Sequence, residues 1–312
     1  MSKIIWTRQA ILAIGIVSVG SAFGQVNNRT DTEFDNNKGI AYTRHNLTQT
    51  SPADASSSPN GALMDAFRNN YGQVCVYCHT PHGASSTVEA PLWNRTRKSH
   101  TFQTYDLLNT VTLTQTVTQP GPNSLTCLSC HDGTTAVDSI INMPGSGGYD
   151  LAQETQDDDG AINAFLGGWG PGQGDTFQHM ILDANTSNPD SCLSCHSPDG
   201  IVAAQSFAMF AIGTDLRNDH PVGITFPTAN PDFNVTNGST ARGDAFFDND
   251  GDARMDKGEV RLYNTGDGPE VECASCHDPH GVESAGVGSD FNPTFLRVSN
   301  VGSSLCMTCH VK

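Results

Sequence analysis

The chain has 312 residues and a net charge of −17, with 33 acidic against 16 basic residues. That balance excludes a phosphate-gripping nucleic-acid binder, whose affinity rests on Lys and Arg. Acidity alone reports solubility, or attraction to cations and basic partners, and not a fold.

The N-terminus reads as a secretory leader. Lys3 and Arg8 precede a short apolar run, Ile11 to Val19, and Ala22-Phe23-Gly24 is a small-x-small cleavage site. Residues 1–24 are expected to be removed. The apolar run falls short of the ~20 residues that span a bilayer. No cysteine near the cut offers a lipid attachment point, and no later segment is apolar enough to cross a membrane. The mature chain is therefore expected to be exported, to the periplasm or the extracellular surface.

Residues 25–60 form a polar arm that contains His45 in Arg44-His45-Asn46-Leu47. A short helical turn is expected over Ala62 to Phe67. Glu89 to Arg95 (EAPLWNR) is a loop with a tryptophan of the buried type, and Arg95, Arg97 and Lys98 form a basic cluster. Thr110 to Thr118 alternates like a strand, stopped by Pro120-Gly121-Pro122. Residues 133–191 are glycine-punctuated, carry the acidic run Asp157-Asp158-Asp159, and contain His179. Ile201 to Ile212 (IVAAQSFAMFAI) is apolar all round, the pattern of a buried helix. No long 3.6- or 2-residue period runs through the chain. The expected fold is mostly irregular and loop-rich, with short helices and few short strands.

The strongest signal is a repeat. All ten cysteines fall in five C-x-x-C-H segments: Cys75/Cys78/His79, Cys127/Cys130/His131, Cys192/Cys195/His196, Cys273/Cys276/His277 and Cys306/Cys309/His310. Cysteines at this spacing lie one helical turn apart, so both thiols can reach the vinyl groups of one porphyrin while the next histidine meets the iron. This is the attachment pattern of c-type haem. Zinc sites also use C-x-x-C but need no histidine directly after it, and disulfides explain the histidines no better. Eleven histidines in 312 residues would follow all five pairs by chance with a probability on the order of 10⁻⁷ or less. Five haem c groups are expected. Residues 25–312 then form one pentahaem unit, with two haems attached in 61–140 and three in 141–312. Roughly 58 residues per haem are too few for separate domains, so the haems should share one core.

The five C-x-x-C-H histidines are the expected proximal ligands. Six histidines remain for the far side of the irons: His45, His82, His100, His179, His220 and His280. In CHTPHG, His82 follows His79 too closely to reach the other face of the same porphyrin, and Pro81 forces Thr80 out of the helical region. His82 should turn towards a neighbouring haem, and His280 after His277 likewise. His220 precedes Pro221 and so sits on extended backbone. His100 and His179 compete for the last place; His179 is preferred, because it lies in the segment leading to the third haem site. The expected distal set is thus His45, His82, His179, His220 and His280. Met180, Met209 and Met307 lie in apolar contexts and are read as core side chains, not ligands. Two histidines on every iron leave no open position and favour low potentials over Met/His ligation.

Asp248 to Glu259 (DNDGDARMDKGE) places Asp248, Asp250, Asp252, Asp256 and Glu259 at positions 1, 3, 5, 9 and 12 of a calcium loop. It has Ala253 where the EF-hand pattern has glycine, and Val260 to Tyr263 alternates like a strand. A calcium site and a solvated acidic loop both fit.

HNLT at 45–48, CVYCHTPHG, APLWNR, CLSCHDG, NDHPVG, CASCHDPHG and LCMTCHVK together resemble the doubled-CxxCH multihaem cytochromes c of metal- and sulfur-reducing bacteria. This group includes extracellular cytochromes that polymerise into conductive filaments. The resemblance covers most of residues 38–312. It implies that the segment around Cys192 is an inserted fifth haem site. In filament-forming members an N-terminal histidine ligates a haem of the next subunit; His45 is the positional candidate, within the chain or between chains. The expected function is electron transfer between a donor and an extracellular or periplasmic acceptor, by a lone protomer or a homopolymeric filament, without enzymatic activity. The alternatives are a multihaem reductase with one open haem, and a periplasmic carrier or subunit of a membrane oxidoreductase. Ammonia-forming nitrite reductases also carry five haems, but their active haem has lysine in place of the C-x-x-C-H histidine.

Overall fold

The computed structural model describes residues 36–37, 39–48, 67–111, 113–145, 147–169, 179–200 and 205–311. The leader (1–24), most of Ala62 to Phe67 and the start of Ile201 to Ile212 lie outside these residues. Among the described residues no helix is long and apolar enough to cross a membrane.

Helices are short and start where the sequence supplies a cap. The longest described one, α1, is Pro122–His131, with proline in its first turn; there the missing N–H costs nothing. Helix α2, Asp159–Gly167, is capped by Asp158, whose side chain accepts from Gly160 N at 2.8 Å. It turns Ile162 and Leu166 inward. Helices α3 (Cys273–Cys276) and α4 (Ser304–Cys309) are barely more than one turn each.

The described strands make one antiparallel sheet in the order β1-β5-β4-β3-β2. They are β1 Ile224–Thr225, β2 Gly238–Ser239, β3 Ala245–Phe246, β4 Arg261–Asn264 and β5 Pro269–Val271. The register pairs Ile224 with Val271, Tyr263 with Glu270, Ala245 with Leu262 and Gly238 with Phe246. The expected strand over Thr110 to Thr118 is reduced to a single bridge, Val117 to Ile224. Its flanking bonds, Thr118 N to Gly223 O and Thr225 N to Thr116 O, run along the outer edge of β1.

Three apolar clusters replace a single core. The first joins Tyr71, Val76, Tyr77, Ala136, Ile140, Met143, Ile162 and Leu166, and so lies on both sides of residue 140. The second, beside the sheet, holds Phe226, Ala245, Phe247, Val260 and Leu262. The third is Phe102, Leu128 and Leu216.

Two expectations are corrected. Within Ile201 to Ile212 the described part is extended chain around one turn, Ala208–Phe210, and Met209 is 76% exposed. An all-apolar run says that a segment wants cover, not that it is helical. Met307, read as core, is also exposed; Met180 is buried. Arg95 is no surface cation. It is fully buried and gives its guanidinium to Ser129 Oγ and to the carbonyls of Ser129, Ala136 and Val137 at 2.7–3.0 Å. A buried charge survives only with such full hydrogen bonding.

Candidate haem-binding sites

Each C-x-x-C-H segment folds as one helical turn. The backbone N–H of His79, His196, His277 and His310 donates to the carbonyl of the first cysteine, four residues back, at 2.8–3.1 Å, and Cys127 to His131 lie within α1. The ten cysteines form no disulfide. Burial pushes the thiols of Cys78, Cys192 and Cys309 up to about 12 and that of Cys276 to about 11. Buried thiols of this kind stay protonated and are poor thiolate ligands. Among the described residues no three cysteine or histidine ligand atoms gather within 4.8 Å, so the pairs are not assembled into a zinc-type cage.

The five pairs differ in their surroundings. Cys75 and Cys306 are exposed, and the other eight cysteines are half-buried. Cys195 does not share a continuous helix with its partner. It lies just past the short turn Cys192–Ser194, and its N–H reaches Cys192 O only at 3.3 Å. Its Sγ accepts from Ser194 Oγ at 3.8 Å. The cause is local: Pro198 keeps Ser197 out of the helical region, so the chain turns back at once. Gly200 then lies so close that a Cβ there would come within 2.3 Å of Cys195 O.

The imidazoles share one orientation device. His79 Nδ1 meets Pro91 O at 2.9 Å, His131 Nδ1 meets Phe210 O at 2.7 Å, His196 Nδ1 meets Gln205 O at 2.8 Å and His277 Nδ1 meets Thr294 O at 2.8 Å. A carbonyl oxygen only accepts, so Nδ1 carries the proton and Nε2 keeps its lone pair. That is the arrangement by which a protein aims a histidine at a metal. Burial lowers the pKa of His79, His131 and His196 and holds them neutral. His310 packs against Phe233, ring centroids 4.7 Å apart.

Several candidate distal histidines use the same device. His45 Nδ1 lies 3.2 Å from Pro279 O, and His220 Nδ1 lies 3.0 Å from Pro221 O. His179 and His280 turn Nδ1 to carboxylates, Asp138 at 2.7 Å and Asp278 at 3.0 Å. His100 differs. Its Nε2 is buried without a hydrogen bond, 3.5 Å from Asp132 Oδ2, so the atom a metal needs faces an acid. This geometry favours His179 over His100. The side chain of His82 is exposed, while its carbonyl accepts from Thr80 Oγ1 and Asn142 Nδ2.

Two histidine pairs meet at a telling distance. His79 and His280 have ring centroids 6.2 Å apart, with planes 12° from parallel. His45 and His131 are 6.5 Å apart at 79°. Two imidazoles bound through Nε2 on opposite sides of one metal, each at the 2.0–2.1 Å known for zinc, have centroids about 6.3 Å apart. The two pairs have ring separations of that order. His280 lies against the histidine of the first motif, not that of its own. Burial and the neighbouring His131 lower His45 to about 4.

Four of the motifs adjoin. Cys78 and Cys130 act on one another electrostatically. Helix α1 packs on α3, which brings Cys127 of the second motif beside Cys273 of the fourth. Cys276 in turn feels Cys306. The second motif thus neighbours the first and the fourth, and the fourth also meets the first through His280 and His79. The turn carrying Cys192 and Cys195 stands aside, tied to the segment after His179 by the Ile181–Ser191 bridge.

The sequence missed a second repeat. Downstream of both CHxPHG segments the chain returns as an antiparallel partner: Thr80 N to Leu92 O and Asn94 N to Cys78 O in one, Asp278 N to Phe295 O and Arg297 N to Cys276 O in the other. Leu92 and Phe295, equivalent in this register, both take positive φ, 57° and 62°. The turn delivers the carbonyl just before each, of Pro91 or Thr294, to the imidazole. The glycines that end the segments, Gly83 and Gly281, also have positive φ, and a Cβ there would strike Tyr149 or Phe291. The spacer to the return differs in length between the two copies, which hides the repeat from a comparison of sequence alone.

In the acidic loop, Asp248, Asp250 and Asp252 bring carboxylate oxygens within 4.8 Å of one another. Ala253 takes φ 63°, the conformation for which the EF-hand uses glycine. Asp256 is not in the group, and Glu259 points its carboxylate at Asn249 N and Asp256 N at 2.7 and 2.9 Å. Three of the five expected ligands converge.

Comparison with family models and with curated proteins found no match.

Proposed function

We propose that the chain is a multihaem c-type cytochrome that transfers electrons through five covalently bound haems and has no substrate-binding iron. Cys75/Cys78, Cys127/Cys130, Cys192/Cys195, Cys273/Cys276 and Cys306/Cys309 would hold the porphyrins, and the histidine after each pair the iron. The observation that carries this reading is the approach of His79 to His280 and of His45 to His131, with ring centroids 6.2 and 6.5 Å apart, a separation compatible with two imidazoles on one metal. The haem supplies reversible one-electron iron chemistry. The chain aims the imidazoles, fixes their tautomers and excludes water with its apolar clusters.

His280 is read as the distal ligand of the first haem and His45 as that of the second, within one chain. His82, His179 and His220 remain for the other three irons. The adjoining motifs support electron passage along the molecule, and the acidic exterior suits a basic redox partner or a cationic acceptor. A leader at 1–24 and delivery outside the cytoplasm belong to the same reading, as does calcium in the 248–259 loop. Assembly into a filament is compatible with it.

The test is the intact protein matured in a host that attaches haem c. The expected mass gain is five haems, and the reduced protein stays low-spin and does not bind CO rapidly. A high-spin haem in the wild-type protein overturns the pure electron-transfer reading in favour of a reductase. Fewer than five attached haems overturns the cofactor assignment.

A further inference from the structure

The acid beside His179 stands apart from the other groups that orient histidines. Most of the other imidazoles donate to a neutral backbone carbonyl. His179 donates Nδ1–H to Asp138 Oδ2 at 2.7 Å, with both side chains nearly sealed from water, at 9% and 0% exposure. Asp138 Oδ2 also accepts from Asn69 N at 2.6 Å, and its Oδ1 has no hydrogen-bond partner. No cation pairs with Asp138 among the described residues. The buried Arg95 gives its donors to Ser129, Ala136 and Val137, and the buried Arg68 gives Nη1 to Asn69 O and Tyr77 Oη. The other carboxylate in this role, Asp278, faces a 62% exposed His280 and shares its charge with Arg297 at 3.2 Å.

We infer that Asp138 is a positioning residue that makes His179 the most strongly donating imidazole in the chain and sets the potential of one haem below the rest. A buried anion accepting from Nδ1–H shifts electron density on to Nε2 and raises ligand basicity. A more basic ligand stabilises the ferric over the ferrous iron. Asp138 follows the second motif in the chain, its neighbour Val137 donates to Met180 O, and Cys192 N donates to Ile181 O, so Asp138 lies between the second and third haem motifs. There, a haem of lowered potential shapes the step between the four adjoining motifs and the one that stands aside.

This inference rests on the reading of His179 as an iron ligand, and two variants separate them. In the haem-loaded protein, His179→Gly turns one haem high-spin; five low-spin haems would remove both the ligand reading and the inference. In Asp138→Asn, which keeps an acceptor for Asn69 N–H, all haems stay low-spin and one haem moves up in potential. The readout is an upward shift of one potential while the other four stay in place; a tenfold change in the reduction equilibrium reads as about 59 mV for one electron. Asp138→Glu, which keeps the charge, shifts the same haem by less and serves as the readout if the Asn variant fails to fold. Unchanged potentials, or all five haems shifting together, overturn the role of Asp138 while leaving His179 a ligand.

Discussion

His79 and His280 come from opposite ends of the chain and lie with ring centroids 6.2 Å apart and planes 12° from parallel. His45 and His131 hold nearly the same separation at 79°. Parallel ligand planes lift the degeneracy of the iron dπ orbitals, and perpendicular planes leave it almost intact. The oxidised protein is expected to show at least one rhombic and one highly anisotropic low-spin signal by electron paramagnetic resonance. His280→Ala should remove the first kind and His45→Ala the second, each creating one CO-binding haem. Loss of the same signal in both variants would contradict the pairing.

If His45 serves within its own chain, dilution changes nothing. A monomeric sample, verified by sedimentation, should remain fully low-spin at nanomolar concentration. Growth of a high-spin band on dilution, reversed on concentration, would instead mark His45 as a ligand donated to a neighbouring subunit.

Glu272 caps α1 from outside, accepting from Gly121 N at 3.0 Å and from the Ser124 hydroxyl. Burial raises its pKa from 4.5 to about 7. The folded state then keeps a proton that the unfolded chain releases. Its stabilisation is complete below pH 4.5 and is lost as the pH rises to 7, in total about 3 kcal/mol. Denaturation midpoints should fall across that window, and Glu272→Gln should flatten the fall. An unchanged slope in the variant would show that another group is responsible.

Arg95→Met fills the space but orphans the carbonyls of Ser129, Ala136 and Val137, which now accept from the guanidinium. Leaving such groups buried and unpaired costs at least about 3 kcal/mol. The first cluster, through Tyr77 and Ala136, should loosen with it. Urea titration of the haem-loaded protein measures the loss; a midpoint within error of wild type would show that the carbonyls find water.

Calcium at 100 times its dissociation constant should stabilise the fold by about 2.7 kcal/mol. Chelation should lower the melting temperature, and Asp250→Asn should abolish the response. Equal melting with and without chelator would leave Asp248, Asp250 and Asp252 as a solvated acidic loop.

The sequence alone carried five C-x-x-C-H segments, their helical turns and six further histidines, because such a motif is local and its spacing is covalent geometry. It also located the acidic loop. It did not reveal which histidine faces which, because His280 meets His79 only when some 200 residues of irregular chain have folded between them. Nor did five like motifs disclose that the one with Cys195 stands aside from the other four. The carbonyls of Pro91, Phe210, Gln205 and Thr294 that orient the imidazoles are backbone groups without a side-chain signature. Asp138 looked like any other acid until burial set it against His179. The apolar run 201–212 misled for a related reason: hydrophobicity alone does not imply a helix, and its described part is extended around one turn. Local covalent pattern determined what the chain can bind, and long-range packing decided which of its ligands are brought together.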